Sequence, residues 1–245
     1  MKEKKIEEWI HNAHVSYKYP VEYVQSKLPS CLQVVPFEDE EGQHAILTEW
    51  HFYQYNARSN PAVVPKFVGY LAAAPDLHVQ TYVRHEDGRE GLFCFKIWMG
   101  KKMACWMGRN FFDAPMYSGT QSLNKTKDGV LEYKCKFTDP KSKVCEQTTF
   151  RYKPLGEPSE PPEDSIDHFT VNRFTNRQFT YFKDKLKSLP NQQKPFPLTV
   201  QAIEVHEHTS NILESLFSEL PMPEPCQRIS WSDTICHVFE ENKSN

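Results

Sequence analysis

Residues 76–84, DLHVQTYVR, are followed after a short turn by residues 91–99, GLFCFKIWM, and these two segments decide the fold class. In the first segment apolar residues or threonine alternate with polar side chains and tyrosine, which is the two-residue repeat of a strand with two different faces. The second segment is apolar on both faces except at Lys96, as is typical of a strand that is covered on both sides. Asp87-Gly88 between them favours a tight turn. The two segments therefore predict a β-hairpin at the centre of a sheet.

The rest of the chain carries mostly strand patterns with a few short helices. In the helix predicted over residues 101–112, Met103, Trp106 and Met107 share one face, and we expect them to pack in the core. Many strands joined by hairpins predict an α+β fold that is mainly antiparallel β, with a sheet that curls or closes so that few edges stay exposed. The other predicted helices cover residues 3–12, 20–29 and 211–220, and the other predicted strands cover residues 33–37, 45–55, 131–137, 144–152, 177–182, 198–208 and 229–239.

Length and composition limit the class of protein. A chain of 245 residues with 39% hydrophobic and 25% charged residues is long enough to bury its own core, as one large β domain or two small ones. The net charge of −3 argues against a nucleic-acid surface, which usually shows a clustered basic excess. Residues 154–164 are rich in proline and acidic residues and are predicted to form a surface loop.

The cysteine pattern and the absence of targeting signals concern the compartment. The seven cysteines contain no Cys-x-x-Cys pair, so they indicate neither a disulfide framework nor a zinc site. The N-terminal segment lacks the apolar region of a signal peptide, and no window approaches the roughly 18 apolar residues of a membrane span. We therefore expect a cytoplasmic protein with free thiols and no membrane partner.

The central hairpin also resembles a known family. Residues 76–83, with Gly91 and Phe95 in the partner strand, resemble the hairpin of the YqjF-like uncharacterised family, which is similar to the acetoacetate decarboxylase-like superfamily. The resemblance runs over nearly the whole chain and implies a single acetoacetate decarboxylase-like domain over residues 1–245. Weaker matches to the family lie in the same order along the chain, at residues 19–29, residues 172–174, His206 and residues 229–240.

The resemblance implies a curved sheet that closes into a cone or barrel around a small-molecule pocket, flanked by short helices. In acetoacetate decarboxylases a Gly-Arg, followed by Pro-Lys-Lys, supplies a lysine that forms an imine with the substrate. Here Gly108-Arg109 and Pro115 are present, but Met116 and Tyr117 replace the two lysines. Neither side chain can form an imine, so the Schiff-base route is not expected.

The candidate site combines the polar face of the hairpin with this second motif. Tyr117 and His78 are the candidate catalytic residues, as hydrogen-bond donors or acid–base groups. The alternative for the hairpin residues is a hydrated sheet face, and the alternative for Arg109 is a structural ion pair with Asp113. The candidate substrate-binding residues are Gln80, Tyr82, Arg109, as an anion clamp, and Met116.

One later strand carries residues that could bind a metal ion. Glu204, His206 and His208 follow the i, i+2, i+4 spacing that places three ligands on one strand face. Histidines and carboxylates on an exposed edge show the same pattern without a metal, so no metal or cofactor is predicted.

Two classes of function remain from the sequence. One is an acid–base enzyme of the lyase or hydrolase type that acts on a small carbonyl or carboxylate compound. The alternative is a protein that binds or sequesters a small molecule without turnover. Both imply a small organic and anionic partner, and the sequence leaves open whether the chain forms a homo-oligomer.

Overall fold

A computed structural model describes residues 3–60, 73–111, 114–138, 143–174, 177–190, 198–231 and 235–241. Within these ranges the chain forms fifteen strands and four short helices. The helices are α1 Val21–Gln25, α2 Lys102–Phe111, α3 Ile166–Val171 and α4 Ile212–Leu216. The strands are β1 Glu3–Tyr19, β2 Leu32–Val34, β3 Phe37–Asp39, β4 Gly42–Asn60, β5 Ala74–His85, β6 Glu90–Met99, β7 Met116–Ser118, β8 Thr120–Lys125, β9 Leu131–Thr138, β10 Cys145–Ser159, β11 Arg177–Phe182, β12 Lys185–Pro190, β13 Val200–Ser210, β14 Gln227–Trp231 and β15 Ile235–Glu241.

The strands form one large and mostly antiparallel sheet. Its main path of neighbours runs β12-β11-β6-β5-β4-β1-β14-β13-β10-β9-β8, and β2, β3, β7 and β15 pair beside this path. Only the pairings of β6 with β7 and with β11 are parallel in the described part of the chain. The predicted central hairpin is therefore confirmed as β5 and β6, with β4 and β11 on its two sides. The described pairings do not join β12 to β8, so they do not close the sheet into a barrel.

The sheet buries side chains on both of its faces. We call inner face the side of β1, β4, β5 and β6 that carries Val15, Leu47, Val79 and Trp98. These residues share one core with side chains of β9, β10 and α4, which are far away along the path of strands. The sheet must therefore curl so that its distant parts pack together. We call outer face the opposite side, which carries Trp50 and Tyr82 and is covered by residues of and just after α3.

The N-terminal segment is a strand and not the helix that its spacing predicted. β1 pairs with β4 on one side and with β14 and β15 on the other, so it lies inside the sheet. A register shift between Ile10 and Ala13 puts His11 at φ 55°, the left-handed region. Such a bulge reverses the side-chain alternation: Trp9 belongs to an outer-face core, whereas Ala13 belongs to the inner one. The bulge breaks the two-residue repeat and makes the segment look helical.

Three other expectations differ from the structure. Met103 and Trp106 on α2 are each 58% exposed, so they do not pack in the core, and the side chain of Met107 lies outside the described residues. The loop predicted over residues 154–164 begins as a strand, because β10 continues to Ser159 and pairs with β13. The segment predicted as one closing strand forms two, β14 and β15, which both pair with β1. No helix in the described part of the chain combines the length and apolarity that crossing a bilayer requires.

Candidate functional site

The polar residues of the central hairpin are buried on the outer face. His78 lies among aromatic rings, with centroid distances of 5.4 Å to Trp50 and 4.9 Å to Phe52. Burial lowers the pKa of His78 to about 3, so the ring is neutral at pH 7. The Tyr82 hydroxyl donates to the Thr170 carbonyl oxygen at 3.2 Å, and burial raises its pKa. These two side chains are held by packing against the layer that covers the sheet.

Gln80 reaches a small cavity on the same face. The cavity measures about 10 Å³, which is roughly the space that one water molecule needs. Arg84, the last polar residue of the hairpin face, is exposed and pairs with Glu90. A ligand role for His78, Gln80 and Tyr82 stays a prediction, and in this conformation the cavity has no room for an organic compound. The cavity is lined by His14, Trp50, Gln80, Leu92, Thr170, Val171, Phe174 and Trp231.

A larger recess lies between α2 and the β11–β12 hairpin. Its volume of about 320 Å³ is at the lower end of the range for small-molecule sites. Three of its lining side chains are cations, and none of the lining residues in the described part of the chain is acidic. The recess therefore favours an anionic ligand. It is lined by Lys102, Cys105, Trp106, Arg109, Asn110, Ser118 and Lys183.

Arg109, which lines this recess, contacts two aromatic rings. Its guanidinium carbon lies 5.5 Å from the centroid of the Tyr117 ring and 5.6 Å from that of Phe182. No carboxylate among the described residues forms an ion pair with it, and Asp113, the predicted structural partner, lies outside these residues. The preceding Gly108 is covered by Met116, whose side chain occupies the space that a Cβ atom would need. The Gly-Arg pair thus lets α2 approach β7 closely and places Arg109 beside Tyr117.

Tyr117 also touches a buried ion pair on the inner face. The Lys96 amine lies 4.8 Å from the centroid of the Tyr117 ring and 2.5 Å from Glu146 Oε1. Trp98 Nε1 donates to Glu146 Oε2 at 2.9 Å, and the Ser215 hydroxyl donates to Oε1 at 2.6 Å. Both charged side chains are largely buried, so removing either one would leave an uncompensated charge in the core. Tyr117 therefore contacts one cation in the recess and one on the inner face.

A second polar group on the inner face centres on Glu49. Its Oε1 accepts a hydrogen bond from the Ser210 hydroxyl at 2.7 Å. Its Oε2 lies 3.6 Å from His51 Nε2 and 3.8 Å from His208 Nε2. Burial by itself would raise the pKa of Glu49, but the His208 and His51 rings outweigh it and lower the pKa to about 2. Burial also lowers the pKa of His51, so this group holds a carboxylate beside neutral imidazole at pH 7.

The three possible metal ligands on β13, Glu204, His206 and His208, do not share one face of the strand. Val205 pairs with Tyr152 and Glu207 pairs with Arg151, so the ladder skips His206. This bulge leaves Glu204 and His206 exposed, while the side chain of His208 is only 5% exposed and turns toward Glu49. The regular alternation that the spacing assumed is therefore broken at His206.

The family of the chain follows from comparison with known proteins. Residues 7–233 match the family model DUF2071, described as an uncharacterized conserved protein (COG2071). The chain belongs to the DUF2071 family. This confirms the YqjF-like assignment made from the hairpin residues. No curated protein matches this DUF2071 chain.

Solved structures similar to this DUF2071 chain share its fold. An acetoacetate decarboxylase is similar, with a TM-score of 0.56, 10% identity and coverage of 97% of this chain and 86% of the other. The acetoacetate decarboxylase of Legionella pneumophila gives a TM-score of 0.53 at 14% identity, with coverage of 96% of this chain and 84% of the other. An acetoacetate decarboxylase-like enzyme from Sphingomonas wittichii RW1 gives a TM-score of 0.52 at 9% identity, with coverage of 98% of this chain and 89% of the other. At these identities the similarity establishes the acetoacetate decarboxylase-like fold and not the activity.

Sequence reasoning found some of these residues and missed others. The structure brings Arg109, Met116 and Tyr117 of the DUF2071 chain together, but it puts His78 on the opposite face of the sheet from Tyr117. It does not bring the two candidate catalytic residues into one pocket. Lys96 stood out as the one charged residue of an apolar run, which is a usable signal. Glu146 had no such signal, because its partner lies fifty residues away.

Proposed function

We propose that this DUF2071 protein is an acid–base enzyme that acts on a small carbonyl compound with a carboxylate group. The observation that carries the proposal is the recess in which Lys102, Arg109 and Lys183 are not balanced by an acidic residue in the described lining. A guanidinium cannot lose its proton at neutral pH, and its planar shape fits a carboxylate through two hydrogen bonds. Arg109 is therefore the residue that binds the anionic end of the substrate.

Tyr117 is the proposed hydrogen-bond donor or general acid. Its ring lies beside Arg109, so a compound bound to the guanidinium comes close to it. Met116 packs over Gly108, the residue before Arg109. Since Met116 and Tyr117 stand where decarboxylases carry lysines, the proposed chemistry uses no imine. His78, Gln80 and Tyr82 lie on the outer face, and the reaction proposed for the recess does not need them.

The architecture around the recess is also part of the proposal. We infer that residues 1–245 form one domain whose curled sheet encloses the inner face as a cone. The core that β1, β4, β5 and β6 share with β9 and β10 supports this, as does the fold shared with acetoacetate decarboxylases. We further infer a reducing compartment such as the cytoplasm, since the six cysteines whose side chains the structure describes are free thiols.

The test combines a binding measurement with a turnover measurement. Purified protein is mixed with millimolar acetoacetate or pyruvate, and with acetone as a neutral comparison, and its melting temperature is recorded. We expect the two carboxylates to raise the melting temperature of the wild type and acetone to have no effect. Proton NMR of the same samples shows whether a stabilising compound is consumed. A compound that stabilises the protein and persists unchanged would identify a binding protein without turnover.

Variants locate the effect. Arg109→Met should abolish the stabilisation by carboxylates. Arg84→Met removes the same charge from an exposed ion pair at the end of the central hairpin. This variant should still be stabilised by carboxylates. If Arg109→Met responds to carboxylates like the wild type, Arg109 is not the anion-binding residue and the proposed site is wrong.

A further inference from the structure

Three potential metal ligands meet on the inner face of the sheet, at a place that the recess does not include. Glu49 and His51 are two residues apart on β4 and point to the same side. His208 reaches them from β13, beyond the bulge at His206. Both imidazoles place Nε2 near the same carboxylate oxygen, at 3.6 Å from His51 and 3.8 Å from His208. Two strands distant in sequence thus converge on Glu49 Oε2.

Polar atoms in this cluster lack the partners that buried groups normally have. Glu49 and His51 are 0% and 1% exposed. Ser210 satisfies one oxygen of Glu49, but Glu49 Oε2 and His51 Nε2 form no hydrogen bond with any described residue. Buried side-chain polar atoms in native proteins are nearly all hydrogen-bonded or bound to an ion or water, so each exception needs an explanation. Here the two atoms that lack a hydrogen bond face each other at 3.6 Å.

We propose that Glu49, His51 and His208 bind a divalent transition-metal ion of the Zn²⁺ class. Two imidazole nitrogens with one carboxylate oxygen form a common ligand set for such ions and leave a coordination position open. Ligands about 2.1 Å from a tetrahedral ion are about 3.4 Å apart, close to the two separations from Glu49 Oε2. The separations from Glu49 are too long for hydrogen bonds, but they suit two ligands of one ion.

Binding requires the two rings to move. The three ligand atoms are not all within 4.8 Å of one another, so the imidazoles must move toward each other around Glu49. His208 would have to exchange the contact of its Nε2 with the Tyr17 hydroxyl, 3.5 Å away, for the ion. Beyond Ala202 the described pairings join β13 only to β10, so β13 is held there on one side.

Another cluster has the right residue types but a different environment. Asp39, Glu41 and His44 have ligand atoms within 4.8 Å of one another. The Lys18 amine already lies 2.6 Å from a carboxylate oxygen of both Asp39 and Glu41. A bound ammonium group satisfies these acids, so we do not assign them a metal.

The experiment measures metal binding directly. Protein without a polyhistidine tag is treated with EDTA, dialysed and titrated with Zn²⁺ by isothermal titration calorimetry. We expect one ion per chain for the wild type. His208→Ala and Glu49→Gln should weaken binding by at least about 100-fold, because each removes a ligand. His206→Ala is the matched control, since this exposed histidine lies two residues from His208 on the same strand, and it should bind like the wild type.

A second readout covers the risk that a core substitution harms folding. Circular dichroism establishes which variants are folded, and Co²⁺ replaces Zn²⁺ so that its visible absorption reports the ligand geometry. The partly exposed His208→Ala is the variant on which the decision rests. Failure of the folded wild type to bind Zn²⁺ stoichiometrically, or equal affinity of His208→Ala and wild type, would overturn the proposal. Neither readout uses the carboxylate compounds or the Arg109 variant that test the recess. The result is therefore independent of the function proposed for the recess.

Discussion

The Lys96 amine lies 2.5 Å from the Glu146 carboxylate, and both side chains are buried on the inner face of the sheet. The pair joins β6 to β10, which are far apart along the path of strands. Its hydrogen bonds from Trp98 and Ser215 tie α4 and the central hairpin to the same carboxylate. The contact therefore holds the curled sheet together at the point where Tyr117 packs.

Neutralising one partner of this pair should destabilise the protein strongly. Glu146→Gln keeps the shape of the side chain but leaves the Lys96 ammonium without its counter-charge. The expected loss is about 3–5 kcal/mol in the free energy of unfolding, measured by urea denaturation. Glu219→Gln, which removes the partner of Lys27 in an exposed pair, should change it by less than about 1 kcal/mol. Equal effects of the two substitutions would show that the buried pair contributes no more than a surface pair.

Acid should destabilise the fold through buried neutral histidines. Burial lowers the pKa of His78 to about 3 in the folded chain, from 6.5 in the unfolded chain. Between these values the unfolded state binds a proton that the folded state does not. The contribution is therefore complete above pH 6.5 and is lost as pH falls toward 3, by up to about 1.4 kcal/mol per pH unit.

The variant His78→Phe measures that contribution. Phenylalanine fits among Trp50 and Phe52 and does not titrate, so the melting temperature should fall less between pH 7 and pH 5 than in the wild type. His206→Gln, at an exposed position, should leave the profile unchanged. If the melting temperature of His78→Phe falls between pH 7 and pH 5 as much as that of the wild type, other groups cause the acid sensitivity.

Gly91 should not tolerate a side chain. A Cβ atom there would lie 2.6 Å from the Arg177 carbonyl oxygen, where β6 and β11 run in parallel. Gly91→Ala therefore forces the two strands apart, and we expect a loss of about 1–3 kcal/mol in unfolding experiments. At Gly100 the nearest atom would be 3.6 Å away, which is an ordinary contact. Gly100→Ala should thus be nearly neutral, and a similar loss in both variants would contradict the close approach of β11.

No lysine should form an imine with acetoacetate. The residues after Pro115 are Met116 and Tyr117, and the nearby Lys96 amine is held in an ion pair with Glu146. Protein treated with acetoacetate and sodium borohydride should keep its mass, because an ion-paired ammonium group is not a nucleophile. Intact-mass spectrometry provides the readout. A stable adduct that peptide mapping locates on Lys96, Lys101 or Lys102 would show that a lysine has been recruited for covalent chemistry.

Local patterns were enough to predict several elements. The alternation over residues 76–84 and 131–137 predicted β5 and β9, because successive side chains of a strand point to opposite faces and two different faces give a two-residue repeat. The helix predicted over residues 101–112 is α2. Motif spacing also put Arg109 and Tyr117 close together, since Gly108 and Pro115 bracket a short connection between α2 and β7.

The sequence by itself thus determined where most strands lie, that they form a mostly antiparallel sheet, and that Arg109 lies near Tyr117. Only the tertiary structure decided that residues 3–19 form a strand, because partners on both sides outweigh local preference. It also decided which histidine of β13 turns inward, since one skipped residue reverses every later side chain. The pairing of Lys96 with Glu146 and of Glu49 with His208 depends on how the sheet curls, and the curl arises from contacts between strands that no local repeat encodes.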